Sequence, residues 1–438
     1  MTKRFFFFFL FPVYAFAGNT TLNIVVNDFL SGPVKVMVEH GTVVERGDVY
    51  YLKSLKKGDN IIELNAKVSD KITVASGDLY REFILNDTLM VISLSSDGWN
   101  ILNKDVLNSE IDSLNEFVNT SLYKFTLSGG RGGAAIKLQA KADSLKHVSE
   151  TETNPVLEAY KWYASADLAL LAKRKSELSL RAFYFRDHAV MPENPAWKYS
   201  FSNYFKGESL RQLKNPVFSK TISEASWQGL RQYFMNDSSI AEFNLCNWVA
   251  LYCANELIQN ADFGIKKIIP LLEDAKNESS DHQFVEEVNF MIRFYEPRNR
   301  GNSFPDISFK SALNKNDKKL SDFSEKPVYV MILPDASTQT GMILRQAAQI
   351  REKFADSIEF VALLLEADDA GIAAFAAQFP KLHFGSCESF CGLEAIMRNM
   401  DEPHFVLLDS GLKVWQFPVE GPDTGVEAAI ASMILSNR

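Results

Sequence analysis

The stretch that decides the fold of the C-terminal third runs from Pro327 to Ile350 and reads PVYVMILPDASTQTGMILRQAAQI. Its first part, Val328–Leu333, is a continuous apolar run rich in β-branched residues, the pattern of a strand buried on both faces. The polar segment that follows contains proline and aspartate, which are typical of turns. Over Met342–Phe354, apolar residues recur at helical spacing. The stretch therefore predicts a strand, a turn and a helix in direct succession.

The same alternation of strand and helix continues to the C-terminus. Apolar runs predict further strands at Ile358–Leu365, Phe405–Leu408 and Leu412–Phe417. Helical spacing predicts further helices at Ala370–Phe379, Ser389–Met400 and Val426–Leu435. A β-α-β unit followed by a β-hairpin and a closing helix predicts one central sheet flanked by helices.

The remainder of the chain divides by pattern into three regions. Residues 18–100 contain short alternating runs separated by Gly and Asp turns, which predict a small antiparallel β domain of sandwich type. Residues 101–297 carry apolar residues at three- and four-residue steps and predict a helical domain or spacer. Residues 298–326 are polar and contain proline, so they predict a linker to a C-terminal α/β domain at residues 327–438. The predicted fold class is multidomain α+β.

The N-terminus, MTKRFFFFFLFPVYAFAGNT, has the three parts of a secretory signal peptide. Lys3 and Arg4 form a positive region, Phe5–Val13 an apolar region, and Ala15–Ala17 a small-x-small cleavage site before Gly18. A buried strand or a membrane anchor is the alternative, but the apolar run is short for a bilayer span. We expect residues 1–17 to be removed and the mature protein to be soluble, without a transmembrane anchor, and periplasmic or secreted.

Composition excludes some classes of partner and cofactor. The chain has 438 residues, of which 46% are apolar and 23% charged, as in an ordinary globular protein. Its net charge of −9 argues against binding to nucleic acid or to an anionic membrane. The six histidines show no metal-ligand spacing, so we expect no metal site, and the sequence predicts no other cofactor.

Four segments of the C-terminal region carry a resemblance to a known family. They are GNSFPDISF at residues 301–309, KKLSDFSEKPVYVMIL at 318–333, IEFVALLLEADDAGIAAFAAQF at 358–379 and EPHFVLLDSGLKVWQF at 402–417. In order and spacing, residues 301–438 resemble the TlpA/ResA-like branch of the thioredoxin fold, found in exported bacterial thiol-disulfide proteins. The resemblance implies a thioredoxin-like C-terminal domain and places Pro403 at the family's cis-proline position.

The sequence departs from this family at the redox turn. The family's paired cysteines correspond most plausibly to Ser337 and Thr340. Family chemistry requires a low-pKa thiolate at a helix N-terminus and a second thiol that resolves the mixed disulfide. A hydroxyl group has neither this acidity nor a redox couple. The resemblance therefore implies the frame of a redox site without its Cys-x-x-Cys.

Cys387 and Cys391 lie close together in FGSCESFCGLEAI. On a helix, residues four apart have Cβ atoms about 5–6 Å apart, whereas a disulfide favours about 3.5–4.5 Å. A structural disulfide in a loop or first turn, two unpaired thiols, and a relocated redox pair all remain open. The other cysteines, Cys246 and Cys253, are two helical turns apart and are expected to pack as small core residues.

A hydrolytic site is a further alternative at the turn. Ser337, His404 and Asp335 supply the residue types of a catalytic triad, and His383 also falls near the presumed site in the sequence. A triad is recognised by geometry, so proximity in sequence is weak support. Exposed polar surface is the better interpretation of these residues.

We therefore predict an exported thioredoxin-like protein that acts as a non-catalytic binding or assembly module in the bacterial cell envelope. The candidate peptide-binding groove is formed by Ser337, Thr340, Glu402, Pro403 and His404, and the expected partner is a protein or peptide. The alternative is a thiol-disulfide oxidoreductase that works through Cys387 and Cys391.

Overall fold

The computed structural model describes residues 20–26, 34–44, 46–52, 57–76, 79–95, 98–102, 105–258, 260, 263–312, 316–354, 357–365, 369–386, 393 and 402–436. The predicted signal peptide and the pair Cys387 and Cys391 lie outside the described residues. The chain divides after Lys206 into two compact units.

The N-terminal unit begins with a β-sandwich. Its strands are β1 (Thr20–Val26), β2 (Val34–His40), β3 (Arg46–Leu52), β4 (Gly58–Leu64), β5 (Lys71–Ser76), β6 (Leu79–Ile84), β7 (Leu89–Ser95) and β8 (Gly98–Ile101). They form two four-stranded sheets with the orders β4-β1-β7-β8 and β3-β2-β5-β6. Both sheets contribute to one apolar core, which includes Leu22, Val36 and Ile92. Along β1 buried residues alternate with half-buried ones, as in a strand with one face in a core.

The prediction that this β domain is antiparallel is wrong at one pair of strands. β1 and β7 run parallel, with Thr21 opposite Leu89, whereas β1 and β4 run antiparallel. Alternation of apolar and polar residues shows which face of a strand is buried, but it carries no information on strand direction. The long connection from β1 to β7 leaves either direction open.

Helices follow the sandwich in the same unit. They are α1 (Val106–Leu127), α2 (Gly133–Ser149), α3 (Pro155–Ala172), α4 (Glu177–Arg181), which continues into a π-helical turn (Ala182–Arg186), and α5 (Pro195–Phe205). Both α3 and α5 begin with an Asn-Pro pair: Asn154 and Asn194 accept hydrogen bonds from backbone N–H groups of the first turn, and proline occupies the first position. The Asn108 side chain exchanges two hydrogen bonds of 2.8 Å with the backbone of Ile84, which fixes α1 against β6.

The C-terminal unit begins with helices α6 (Glu208–Gln212), α7 (Pro216–Ser223), α8 (Trp227–Met235), α9 (Phe243–Leu257), α10 (Gly264–Glu278) and α11 (His282–Tyr295). The predicted helical region 101–297 is thus divided between the two units, because helical periodicity does not show which helices pack together. Cys246 and Cys253 are both buried in α9. The Cys246 thiol donates to the carbonyl oxygen of Ile240, and burial raises the pKa of this thiol to about 12.

One seven-stranded sheet and three further helices form the rest of the C-terminal unit. Its strands are β9 (Ser308–Ser311), β10 (Asp317–Lys319), β11 (Val328–Leu333), β12 (Glu359–Leu364), β13 (His383–Ser386), β14 (His404–Leu408) and β15 (Val414–Gln416). The order is β10-β9-β13-β12-β11-β14-β15. Strands β11, β12 and β13 are parallel, whereas β14 runs antiparallel to β11 and β15 antiparallel to β14. The helices are α12 (Thr338–Lys353), α13 (Asp369–Gln378) and α14 (Val426–Ser436).

Strand order and helix placement make this part of the chain thioredoxin-like. The central order is β12-β11-β14-β15, α12 connects β11 to β12, and α14 closes the chain after the β14–β15 hairpin. Residues of α12, α13 and α14 pack into one core on the same face of the sheet. This arrangement agrees with the one implied by the resemblance of residues 301–438.

The prediction of a linker at residues 298–326 is wrong. This segment contributes β9 and β10 to the sheet, and a 3-10 turn at Leu320–Phe323 follows them. Its apolar side chains, among them Phe304, Ile307 and Phe309, cover the face of the sheet opposite α12. They are separated by polar residues in the sequence, so the average polarity of the segment concealed them.

A substitution at Gly385 tests whether this segment is part of the folded sheet. A Cβ atom at Gly385 would lie 2.1 Å from Cδ2 of Phe309, so Gly385→Ala forces β9 and β13 apart. We expect a loss of about 1–3 kcal/mol in the free energy of unfolding, measured by urea denaturation. The control is Gly411→Ala, where the nearest atom is Asp409 Oδ1 at 3.6 Å. Equal stability of the two variants would contradict this packing.

Candidate functional site

The candidate site lies at the edge of the sheet where the parallel strands end. β11 ends at Leu333, and β14 begins at His404 directly opposite Ile332. The turn that contains Ser337 and the segment Glu402–His404 therefore lie at the same edge. Ligands of open α/β sheets commonly bind at this edge. The structure thus brings together the two segments that the sequence assigned to one groove.

A closed hydrogen-bond network shapes the turn between β11 and α12. Ser337 is the N-cap of α12, and its Oγ accepts a hydrogen bond of 3.3 Å from the Thr340 N–H. The Ser337 hydroxyl donates to Thr340 Oγ1 at 3.4 Å, and the Thr340 hydroxyl donates to Asp335 Oδ1 at 3.3 Å. The Ser337 N–H also donates to Asp335 Oδ1, at 3.1 Å. The side chains of Ser337, Thr340 and Asp335 are thus hydrogen-bonded to one another.

The network determines what the turn can do chemically. The N-terminus of α12 carries a partial positive charge, which in a thiol-containing turn would favour a thiolate. Here the positions hold hydroxyl groups, and the Thr340 side chain is only 2% exposed. The Ser337 hydroxyl donates to Thr340 Oγ1, and the Thr340 hydroxyl donates to Asp335 Oδ1. The triad of Ser337, His404 and Asp335 stays a hypothesis from the sequence.

The second segment of the candidate groove is more open. Glu402 is exposed, and Pro403 and His404 are half-buried. The peptide bond between Glu402 and Pro403 is not cis; among the described residues the cis bond joins Phe417 and Pro418. The resemblance implied a cis peptide bond before Pro403, and this prediction is wrong. The sequence pattern around a proline does not determine its isomer.

Cys387 and Cys391 come directly after β13 in the sequence. β13 is parallel to β12 and ends at Ser386, directly before Cys387. Because Cys387 and Cys391 lie outside the described residues, their bonding and exposure stay predictions from the sequence.

His383 lies at the opposite edge of the sheet and does not belong to the site. It begins β13, and its Nε2 lies 3.1 Å from the carboxylate of Glu359, which also pairs with Lys326 at 3.0 Å. Burial lowers the pKa of His383, with Glu359 opposing this shift. Burial alone would raise the pKa of Glu359, but hydrogen bonds from Lys326 and His383 bring it below its ordinary value. His383, Glu359 and Lys326 thus form a cluster of ion pairs at the N-terminal end of β12 and β13.

Sequence reasoning missed a cavity of about 690 Å³ in the N-terminal unit, which is lined by residues of α1, α3 and α5 and of strands β5 and β6. In the sequence, only one weak feature indicates this cavity. Tyr163 and Asp167 lie four residues apart on α3, and the carboxylate of Asp167 interrupts an apolar stretch of the helix. No motif accompanies these residues. The cavity forms only when helices and strands that are distant in sequence pack together.

Solved structures with thioredoxin-like folds resemble part of this chain. A thioredoxin-like protein from Bacteroides caccae shares 10% identity, with a TM-score of 0.37, and the match covers 60% of this chain and 95% of that one. The thioredoxin domain of a thiol-disulfide oxidoreductase from Bacteroides vulgatus shares 17% identity (TM-score 0.27; 31% and 98% covered). A thiol:disulfide interchange protein from a Bacteroides species shares 16% (TM-score 0.28; 32% and 92% covered).

No family model matches the chain, and neither does any curated protein. The thioredoxin-like description of the C-terminal part therefore relies on its own strand order and directions. Among the described helices, none has both the length and the apolar composition needed to cross a bilayer.

Substitution of Ser337 tests whether this residue caps α12. Ser337→Ala removes the side-chain acceptor for the Thr340 N–H and should cost about 1 kcal/mol in the free energy of unfolding, measured by urea denaturation. Ser337→Asn keeps an N-cap acceptor without adding charge, so its stability should match the wild type within a few tenths of a kcal/mol. If Ser337→Ala is as stable as Ser337→Asn, the cap makes no contribution.

Proposed function

We propose that the protein is an exported, non-catalytic binding or assembly module of the bacterial cell envelope. Its thioredoxin-like domain would hold a segment of a partner protein at the edge formed by the Ser337 turn and Glu402–His404. Export is supported by the signal-peptide pattern of residues 1–17.

One observation carries this proposal: Ser337, the N-cap of α12, and Thr340, in its first turn, are hydrogen-bonded to each other and to Asp335. Thiol-disulfide exchange needs a thiolate that attacks and a second thiol that resolves the intermediate. Neither Ser337 nor Thr340 can supply these groups. Both hydroxyl groups are instead hydrogen-bonded within this segment.

The same edge offers accessible groups for recognition. Thr338 and Gln339 are exposed in the first turn of α12, and Glu402 is exposed on the facing segment. His404 and Pro403 remain partly accessible between them. A peptide lying across this edge would meet polar side chains on both sides and an apolar proline ring at its centre. Proteins commonly hold extended peptides with this combination of polar groups and small pockets.

Site-specific photo-crosslinking tests the proposal. A photoreactive amino acid replaces Glu402 in the mature protein, which is then mixed with a cell-envelope extract of the source bacterium and irradiated. We expect a discrete protein adduct, identified by mass spectrometry, because a bound segment would lie against this position. The control places the same photoreactive residue at Glu325, which is exposed just before the start of β11, at the opposite edge.

The comparison of the two positions distinguishes specific binding at the groove from non-specific adsorption. An adduct that forms from position 402 and not from position 325, and that an excess of unlabelled protein suppresses, supports the proposed groove. The same adducts from both positions, or none from position 402, would contradict it.

A further inference from the structure

The cavity in the N-terminal unit is large enough for a small molecule. Its volume is about 690 Å³, within the range of about 300–1,000 Å³ typical of ligand pockets. One wall is apolar and includes Ile111, Leu114 and Val118 of α1. The facing wall carries Asp167 of α3 and the exposed ring of Tyr199 of α5. A cavity with an apolar wall and a few polar groups is the usual form of a binding site for small organic molecules.

Asp167 is the charged group of this cavity with unused binding capacity. Its Oδ1 accepts hydrogen bonds from the Ser200 hydroxyl at 2.9 Å and from the Asn203 amide at 3.3 Å. Its Oδ2 has no partner among the described residues, and Asp167 keeps part of its surface accessible. Burial raises the pKa of this carboxyl to about 6, so the anion is held at neutral pH against a desolvation cost.

The other charged groups that line the cavity are already paired. Lys71 lies 3.2 Å from Glu39 and 2.9 Å from Glu82, and Asp112 pairs with Arg81. None of these pairs includes Asp167. A desolvated carboxylate without a cationic partner is unfavourable, because the burial of a charge costs free energy unless the charge is paired and hydrogen-bonded. The cavity thus has a place for one positive charge.

Aromatic side chains surround this place. Tyr160, Tyr163 and Tyr199 all line the cavity. The Tyr163 hydroxyl, one helical turn from Asp167, is buried and has no hydrogen-bond partner among the described residues. The faces of aromatic rings attract organic cations, and a carboxylate beside them adds a direct ion pair. Three tyrosine side chains, together with a buried hydroxyl and a carboxylate oxygen that both have no partner among the described residues, favour an amine over a neutral or anionic ligand.

We propose that this cavity binds a small organic amine, whose ammonium group pairs with Asp167 Oδ2 and whose carbon skeleton lies along the apolar wall of α1. The site is separate from the groove in the thioredoxin-like domain. An ammonium group supplies the missing positive charge and donates hydrogen bonds to Asp167. The apolar wall selects amines that carry an aromatic or aliphatic body over simple ammonium ions.

We expect asparagine at position 167 to give a more stable fold than aspartate. Asparagine at this position could still accept the hydrogen bonds from Ser200 and Asn203 without the cost of a desolvated charge. Asp167→Asn is therefore expected to fold and to melt at the same or a higher temperature than the wild type at pH 7.5. A gain in stability on removing a cavity carboxylate is typical of a residue kept for binding.

Calorimetric titration of the full mature chain tests the proposal. The probes are benzylamine, phenethylamine and benzyltrimethylammonium at millimolar concentration, and benzyl alcohol serves as a neutral analogue. We expect at least one cation to bind the wild type, and its affinity to fall by about tenfold or more in Asp167→Asn, since this change removes the ion pair. Tyr199→Ala, at an exposed position, should weaken binding severalfold without affecting the fold.

A matched control separates the site from general charge effects. Asp143→Asn makes the same charge change at an exposed position of α2 outside the cavity, and it should leave amine binding unchanged. The proposal is overturned if no cation binds, if benzyl alcohol binds as tightly as benzylamine, or if Asp167→Asn binds like the wild type.

Discussion

The burial of β11 is the constraint on which the C-terminal structure depends. All six residues from Val328 to Leu333 are buried, so this strand must lie inside the sheet with neighbours on both sides. It pairs with β12 on one side and β14 on the other, and its two faces contribute to separate apolar cores. Where β11 ends, the chain must turn, and that turn places Ser337 opposite the start of β14.

A thioredoxin-like frame positions a turn at a helix N-terminus whether or not the turn contains thiols. In this chain the frame holds a network in which Ser337, Thr340 and Asp335 satisfy one another. Both positions carry hydroxyl groups, which cannot take part in thiol-disulfide exchange. In the N-terminal unit, by contrast, Asp167 Oδ2 has no partner among the described residues, and burial raises the pKa of this carboxyl.

The features that the sequence predicted well are those with a strong local period. β11, α12 and the closing helix have continuous or helical apolar patterns, and the structure places them within a few residues of the predicted bounds. Residues 298–326 were misinterpreted because Phe304, Ile307 and Phe309 stand among polar residues. The location of His383 and the position of Asp167 in a cavity depend on packing between distant segments, which local patterns do not encode.

The proposal that the Ser337 turn has no redox activity is tested most directly by a disulfide-reduction assay on two purified proteins. The wild type should show no catalysis, whereas Ser337→Cys/Thr340→Cys, which restores two thiols at the N-terminus of α12, should gain activity. A wild type that reduces disulfides, and that loses this activity on Cys387→Ser/Cys391→Ser, would contradict the claim and show that the second cysteine pair performs the exchange.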